Sequence, residues 1–295
     1  MVQACVTERT LWIDAICINR ADEVGKAHQI ANTDEIFSKA VQVLVYHGLE
    51  DKLFKQGIFS LRNVWEVITS TGCEHYSDID HFTHEELDDS MDLDALAAVF
   101  AKPWFSRGWT VQEFVLARKC ICVLADNSAI DVEFIVRLAN WTYDLNVAGE
   151  RATIATALSQ RPGVPNAQAR LWLSASHRGG HNRRPIDALR CARDLSCYDV
   201  RDKIFGMFAI LQSLVGFEKR QLHLVMPDYS KEPYHVIRDA SRFVQETSAS
   251  PIEILEWVSH GDEADIYDDA IPSCTKSTDH RDYIDLHVLE PSLSS

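Results

Sequence analysis

The sequence predicts an α/β protein, with an open sheet in about the first 125 residues and a mainly helical portion after it. Three apolar runs rich in β-branched residues, at 11–18, 41–46 and 120–124, have the length and composition of buried strands. Segments whose apolar residues recur at helical spacing lie between these runs and continue beyond them. Alternating strands and helices are typical of α/β folds.

The composition indicates a folded, soluble chain and excludes several classes of protein. Its 295 residues are 46% hydrophobic and 25% charged, enough for one large or two small domains. A net charge of −15 with scattered Lys and Arg excludes binding to nucleic acid or anionic lipid through a basic patch. No apolar run approaches the ~20 residues that span a bilayer, and no signal peptide opens the chain, so we expect an intracellular protein. The eight cysteines are irregularly spaced and form no metal motif, so we expect reduced, buried thiols.

The first part of the chain reads as a right-handed βαβ unit. LWIDAICI, at 11–18, is predicted to be a buried strand that ends in a loop at Asn19. A helix over about 27–40 follows, and VQVLVY, at 41–46, is predicted to be the next buried strand. Strand, helix and strand within some 35 residues match the length of such a unit.

The middle of the chain is predicted to hold two helices and a third strand. Residues 49–86 are less regular, and the acidic, His-containing stretch at 73–90 reads as a solvated excursion. A helix over 91–100 is stopped by Pro103, and a second helix begins near Ser106, a favourable N-cap residue, and runs to about Arg118. CICVL, at 120–124, is then the third strand.

The rest of the chain is predicted to be helical up to an acidic tail. We expect helices at 132–141, 170–176, 186–195, 203–214 and 234–246. The last 36 residues, 260–295, are acidic and aperiodic, so they are expected to be poorly ordered. The predicted organisation is therefore an α/β part at 1–125, a mainly helical part at 126–259 and a tail at 260–295.

Glu113 is the first candidate for a functional residue. On a helix that begins after Ser106, the side chains of Trp109 and Glu113 share one face. Burial against the indole would raise the pKa of the carboxyl, which suits it to orient hydroxyls or stabilise a developing cation. The alternative is that Trp109 packs in the core while Glu113 is solvated or pairs with Arg107.

Asp14 is the second candidate, because ligands of open α/β sheets bind beyond the carboxyl ends of the strands. At that position its carboxylate can meet a hydroxyl of a ligand. The structural alternative is that Asp14 accepts hydrogen bonds from backbone N–H groups of the loop at 17–20.

Arg201 lies immediately before an apolar helix, in the segment CYDVRDKIFGMFAIL at 197–211. Its guanidinium can form a bidentate pair with a carboxylate. An arginine in this setting more often ties a loop to the body of a domain than it contacts a ligand.

Four blocks of the sequence resemble the fungal heterokaryon incompatibility (HET) domain in order and spacing. They are LWIDAICINR with the downstream VLVYHG, PWFSRGWTVQE, YDVRDKIFGM and PDYSKEPYHVI, and together they cover about 11–243. The most specific pieces are W-I-D-A-I-C-I-N and R-x-W-T-x-Q-E. This resemblance implies a fungal cytosolic protein that takes part in non-self recognition and programmed cell death between incompatible strains.

The chain departs from the family pattern at several positions. Arg20 stands where the family has Gln, Gly25 where it has an acid, Thr33 where it has a hydrophobic residue, and Cys274 where it has Trp. The family's opening A-L-S-Y-x-W-G type strand and helix have no counterpart here. HET domains are distantly similar to Toll/interleukin-1 receptor (TIR) domains, so the resemblance implies a flavodoxin-like, TIR-like sheet. Without its first strand, such a sheet would have an open gap with unpaired backbone groups, as expected of a truncated member.

The similarity to TIR domains also implies a chemistry. TIR domains carry S-x-W-C-x-x-E after the third strand, and Ser106, Trp109 and Glu113 follow nearly that order. In NAD-cleaving TIR domains this Glu is the catalytic acid, which makes Glu113 the expected catalytic residue. It would hold the ribose hydroxyls of NAD and stabilise oxocarbenium-like charge while the bond to nicotinamide breaks. Asp14, Trp109, Ser106 and Arg107 would then bind the substrate.

The resemblance leaves two functions open. One is an incompatibility protein with NAD as substrate, no resident cofactor or metal, protein partners in signalling and self-assembly. The other is a catalytically inactive, truncated member that acts only as a protein-interaction module. Both imply a cytoplasmic protein without a membrane span.

Overall fold

The computed structural model describes residues 10–19, 21–48, 50–87, 90–147, 157–161, 163–179, 184–215 and 219–248. Within these ranges the chain is mixed α/β and mostly helical, and it has one small sheet. The elements up to the last strand are α1 (Asp14–Cys17), α2 (Glu23–Ala31), α3 (Thr33–Lys39), β1 (Val43–Val45), α4 (Lys52–Ser70), α5 (His84–Leu87), α6 (Leu93–Phe100), α7 (Pro103–Ser106), α8 (Thr110–Val115), β2 (Cys120–Val123) and β3 (Ala129–Asp131).

The remainder of the described chain is helical, as expected. Its helices are α9 (Val132–Val147), α10 (Val164–His177), α11 (Pro185–Arg193), α12 (Asp202–Phe205), α13 (Phe208–Leu214) and α14 (Pro233–Thr247). Short 3₁₀ segments occur at Tyr76–His81 and Lys219–Leu224. The helix predicted for 203–214 is two helices, which separate at Gly206. The predicted tail at 260–295 lies outside the described residues.

The sheet of the described residues has the order β1-β2-β3. β1 runs parallel to β2, with Val43 opposite Cys120, whereas β3 is antiparallel to β2, with Ile121 opposite Asp131. The antiparallel pair follows from a tight turn in which Asn127 has a positive φ of 62°. Two of the three predicted strands are therefore confirmed, but a sheet of this size and order does not confirm the flavodoxin-like, TIR-like arrangement.

The prediction of a buried strand at 11–18 is wrong. Residues 14–17 form the single turn α1, and the side chains of Leu11 and Ile16 are 67% and 78% exposed. A strand needs a neighbour that pairs with its backbone, and no strand of the described chain supplies one here. The turn instead closes its own backbone hydrogen bonds, such as that from Cys17 N to Ile13 O at 2.8 Å. The predicted βαβ unit is therefore absent from the described residues.

The predicted helix at 27–40 is interrupted once. It is divided into α2 and α3 at Asn32, whose Nδ2 donates to His28 O at 2.8 Å. Such a local side-chain bond satisfies the end of α2 while the backbone leaves the helical conformation.

Residues 49–86 are more regular than expected, because they contain α4, a helix of 19 residues. Asp51 caps its N-terminus by accepting from Phe54 N at 2.7 Å. The helix packs against α6, and Gly57 lies at their contact. A Cβ at this glycine would overlap the carbonyl oxygen of Ala95. The close packing of these two helices therefore depends on a residue without a side chain.

We expect Gly57→Ala to lower the free energy of unfolding by about 1–3 kcal/mol, because the added methyl must push α4 away from the α6 backbone. Chemical denaturation followed by circular dichroism measures the change. Gln56→Ala, at an exposed position of the same helix, is the matched control and should leave stability within about 0.5 kcal/mol. Equal stability of Gly57→Ala and the control would contradict the close packing.

The buried apolar side chains form one connected cluster that includes both the sheet and the C-terminal helices. Its largest fully buried members come from α4, α6, α7, α9, α12 and α14: Phe54, Phe100, Phe105, Phe134, Phe205 and Phe243. The described helices include none with the length and hydropathy needed to cross a bilayer.

Candidate functional site

The segment before Glu113 is held against the chain just before α12. The predicted helix from Ser106 begins later, at Thr110, because Ser106 ends α7 and residues 107–109 turn between the two helices. Ser196 N donates to Ser106 O at 2.7 Å, and Gly108 N donates to Ser196 O at 3.1 Å. A Cβ at Gly108 would lie 2.7 Å from Cys197 Sγ, so the approach requires glycine.

Arg170 of α10 organises the same turn from inside the protein. Its side chain is completely buried and donates to Phe105 O at 3.0 Å, Trp104 O at 3.1 Å and the Thr110 hydroxyl at 2.9 Å. Burial lowers the pKa of this guanidinium to about 10. Sequence reasoning missed Arg170, since nothing in its local pattern distinguishes it from a surface arginine on an amphipathic helix.

Thr110 and Gln112, two polar residues of the R-x-W-T-x-Q-E block, are buried. Thr110 Oγ1 lies 2.5 Å from Trp104 O and 2.7 Å from Arg107 O. Gln112 Oε1 accepts from the buried hydroxyl of Thr33, on α3, at 2.8 Å. These side chains fix the backbone around α8. Glu113 is the residue of this block that carries a carboxylate.

The Glu113 carboxyl is partly buried beside an indole, but that indole belongs to Trp104. Trp104 Nε1 donates to Glu113 Oε2 at 2.9 Å. Burial raises the pKa of Glu113, while the hydrogen bond from Trp104 and the positive charge of Arg107 act in the opposite direction. The negative charge of Asp14 adds to the effect of burial. The result is a carboxyl with a raised pKa, a property of general acids, in a poorly solvated position where its ionised form would interact strongly with a developing cation.

The other predicted site residues have separate environments. Asp14 is exposed on α1, and its carboxylate accepts a hydrogen bond from Ala15 N at 2.7 Å. The predicted structural alternative is a bond from a backbone N–H group at 17–20, so the kind of bond agrees but the donor differs. Ser106 donates to Pro103 O at 3.1 Å, and the side chain of Arg107 is exposed. Trp109 donates through Nε1 to Asp202, so the shared face of Trp109 and Glu113 does not create the expected indole–carboxyl pair. Among the predicted residues, Asp14 and Arg107 act on Glu113 through charge.

Asp202 is the centre of a buried polar cluster that sequence reasoning did not assign. It is 6% exposed and accepts from Tyr229 OH at 2.5 Å and from Trp109 Nε1 at 3.2 Å. Burial raises the pKa of Asp202, whereas the hydroxyl of Tyr229 and the charge of Lys26 lower it. Burial also raises the pKa of the Tyr229 phenol, and the adjacent carboxylate adds to this effect.

The cluster continues to two cations that contact the same tyrosine. Lys26 Nζ lies 3.4 Å from the centre of the Tyr229 ring, in a cation–π contact. Arg201 pairs with Asp199 at 2.7 Å and donates to Tyr229 O at 2.7 Å and Lys231 O at 2.9 Å. The interpretation that Arg201 holds a loop to the body of the domain is therefore confirmed. Trp109, Asp202 and Tyr229 come from three of the four sequence blocks, so those three blocks meet at this cluster.

The cysteines of β2 have the properties of packing residues, whereas Cys17 is exposed, contrary to the expectation of buried thiols. Cys120 and Cys122 on β2 are buried, and burial raises the pKa of Cys122 to about 12. Within the described ranges, no three His, Cys, Asp or Glu side chains are placed to hold a metal ion.

Comparisons with known proteins agree with the family that the sequence blocks resemble. The family described as heterokaryon incompatibility protein (HET) matches residues 1–113. Heterokaryon incompatibility protein 6, OR allele, of Neurospora crassa is 28% identical over 136 residues, which cover 38% of this chain and 19% of that protein. The matched region thus spans about a fifth of the length of this relative. No solved structure matches the chain.

Proposed function

We propose that the chain takes part in fungal non-self recognition, because its first 113 residues match the heterokaryon incompatibility (HET) family. In this proposal the protein acts in the cytoplasm and promotes programmed cell death after incompatible strains fuse. The convergence of three of the four blocks at Asp202 supports it, because residues from both halves of the described chain build one connected structure.

The proposed chemistry is hydrolysis of NAD at Glu113. The bond between the ribose C1′ and the nicotinamide nitrogen breaks, and nicotinamide leaves as a neutral molecule with the bonding electron pair. A water oxygen bonds to C1′ and releases a proton. Glu113 would stabilise the oxocarbenium-like charge in its ionised form and hold the ribose hydroxyls, as carboxylates do in glycoside hydrolysis.

The burial of Glu113 against Trp104 is the observation that carries this chemistry. A carboxylate in a poorly solvated position interacts more strongly with a developing cation than one in water. Asp14 and Arg107, whose charges act on Glu113, would border the substrate, and Trp109 and Ser106 would support the turn that positions them. No resident cofactor or metal is part of this proposal.

The second candidate function is a protein-interaction module without catalysis. Leu11, Ile13 and Ile16 expose 67%, 44% and 78% of their surface around α1, and exposed apolar groups of this kind mark contact surfaces. Glu113 also lines neither the cleft between α10 and α11 nor the cleft beside the start of α4. In this alternative, partner proteins or further copies of the chain would cover the apolar side chains.

Incubation of the purified full chain with NAD distinguishes the two functions. We expect nicotinamide release by the wild type and at least a ~100-fold lower rate for Glu113→Gln, because the amide cannot stabilise the cation. Glu133→Gln, at another partly buried glutamate, is the matched control and should retain the wild-type rate.

The assay is run over a range of protein concentrations, since an assembly forms by mass action. Release that is equal in wild type and Glu113→Gln, or absent at every concentration, would remove the enzymatic proposal. An interaction module would then be tested by replacing Ile13 and Ile16 with Ser and comparing the oligomeric state by light scattering.

A further inference from the structure

A cleft of about 370 Å³ opens between α10 and α11, on a part of the molecule that the proposed function does not use. Pro165, Gln168 and Trp172 line it from α10, at spacings of three and four residues that place them on one helical face. Asp187, Arg190 and Arg193 line it from α11, again on one face. The volume is within the range of small-molecule sites.

The face of α10 in this cleft holds groups that the protein itself does not use. The indole of Trp172 is 39% exposed, although large aromatic side chains are usually buried to a greater extent. Neither its Nε1 nor the side-chain amide of Gln168 forms a hydrogen bond to any residue in the described ranges. A partly exposed indole one helical turn from an unused amide is suited to a planar heterocycle, which stacks on the ring and bonds the amide through its edge.

Arg193 supplies a further donor at the end of the cleft. Its Nε and one terminal nitrogen donate to Asp194, at 3.0 and 3.4 Å, and its other terminal nitrogen has no hydrogen-bond partner within the described residues. Lys203 fixes the backbone here by donating to Arg193 O at 2.5 Å. The described lining contains two arginines and two aspartates, which balance in formal charge. Such a site favours a neutral or weakly charged ligand over a polyanion.

We infer that this cleft binds a purine nucleoside. The heterocycle stacks on Trp172, its Watson–Crick or Hoogsteen edge meets the amide of Gln168, and Arg193 donates to a ribose hydroxyl. An amide side chain matches the adjacent donor and acceptor of adenine, so adenosine is the preferred ligand class. A 5′-phosphate adds little, because the charges of the lining are already paired.

Calorimetric titration of the full chain with adenosine, AMP and inorganic phosphate tests the inference. We expect adenosine and AMP to bind with dissociation constants within about threefold of each other, and phosphate not to compete. Trp172→Ala should weaken adenosine binding at least about tenfold, since stacking on an aromatic side chain contributes most of the affinity for a base. Trp172→Phe should retain most of the affinity, because a ring remains.

Phe59→Ala removes a similarly exposed aromatic side chain from α4 and should bind adenosine as the wild type does. Gln168→Ala changes a partly exposed position and tests the same site if Trp172→Ala does not fold. We expect it to weaken adenosine binding about fivefold. Absence of binding to folded protein, equal affinity of wild type and Trp172→Ala, or displacement of AMP by phosphate would each overturn the inference. Glu113→Gln should bind adenosine normally, so a failure here is separate from a failure of NAD hydrolysis.

Discussion

Replacement of Arg170 by Met should lower the free energy of unfolding by about 3–5 kcal/mol, the loss expected when a completely buried polar contact network is broken. The side chain donates to the carbonyls of Trp104 and Phe105 and to the hydroxyl of Thr110. Without it, the buried carbonyl of Phe105 loses this donor, while the carbonyl of Trp104 and the hydroxyl of Thr110 keep the hydrogen bond between them but lose the one from the guanidinium. Met has a similar length, so the change tests the hydrogen bonds more than the packing volume. Equilibrium denaturation in urea measures the difference.

Two further variants separate the possible causes. Arg170→Lys keeps the positive charge, but an ammonium group lacks the planar set of donors with which the guanidinium reaches these three acceptors. We therefore expect the loss of stability to be at least half of that caused by Arg170→Met. Arg161→Met removes a solvated arginine that pairs with Asp94 at 3.0 Å and should change stability by less than about 1 kcal/mol. If Arg170→Met were as stable as Arg161→Met, the turn before Glu113 would not depend on the buried guanidinium.

The second large effect is expected for Asp202→Ala, which should cost about 3 kcal/mol of stability. Tyr229 OH and Trp109 Nε1 would lose their acceptor inside the protein, and Lys26 would lose a nearby negative charge. The segment at 228–231 is tied to the body of the protein through these groups. We therefore expect faster proteolysis within it, measured by limited digestion and mass spectrometry.

A double-mutant cycle with Tyr229→Phe isolates the contact itself. The two changes should be non-additive by about 1–3 kcal/mol, because either one removes the same hydrogen bond. Asp94→Ala, in a solvated ion pair, is the matched aspartate control and should be nearly neutral. Additive effects of Asp202→Ala and Tyr229→Phe would show that the two side chains do not stabilise each other.

These two networks give a physical reason for most of the sequence blocks in which the chain resembles the HET family. Trp109, Thr110 and Gln112 hold neighbouring backbone or bond to other elements, and Asp202 and Tyr229 join the blocks to one another. Glu113 differs, because its carboxyl has a raised pKa and it lies on α8, directly after a turn that these residues fix. The positioned carboxylate is why the enzymatic proposal centres on this residue.

Local pattern was sufficient to predict much of the secondary structure. The helices α6, α9, α10, α11 and α14 and the strands β1 and β2 lie where apolar periodicity and stop signals place them. The segment at 11–18 shows where that approach fails. Its apolar, β-branched composition favours a strand, but a strand also requires a partner that provides hydrogen bonds and burial, and composition does not encode that partner.

For the candidate site, the sequence by itself identified Glu113 and the motif around it, since a carboxylate and an indole in one short block are visible without a structure. Only the tertiary structure decided which indole meets the carboxyl. It also showed that Arg170, Asp202 and Tyr229 hold the surrounding elements. Trp109 and Asp202 are separated by 93 positions, and Thr33 and Gln112 by 79. Contacts of this kind arise from how helices pack around a common core, which the periodicity of any one segment does not determine.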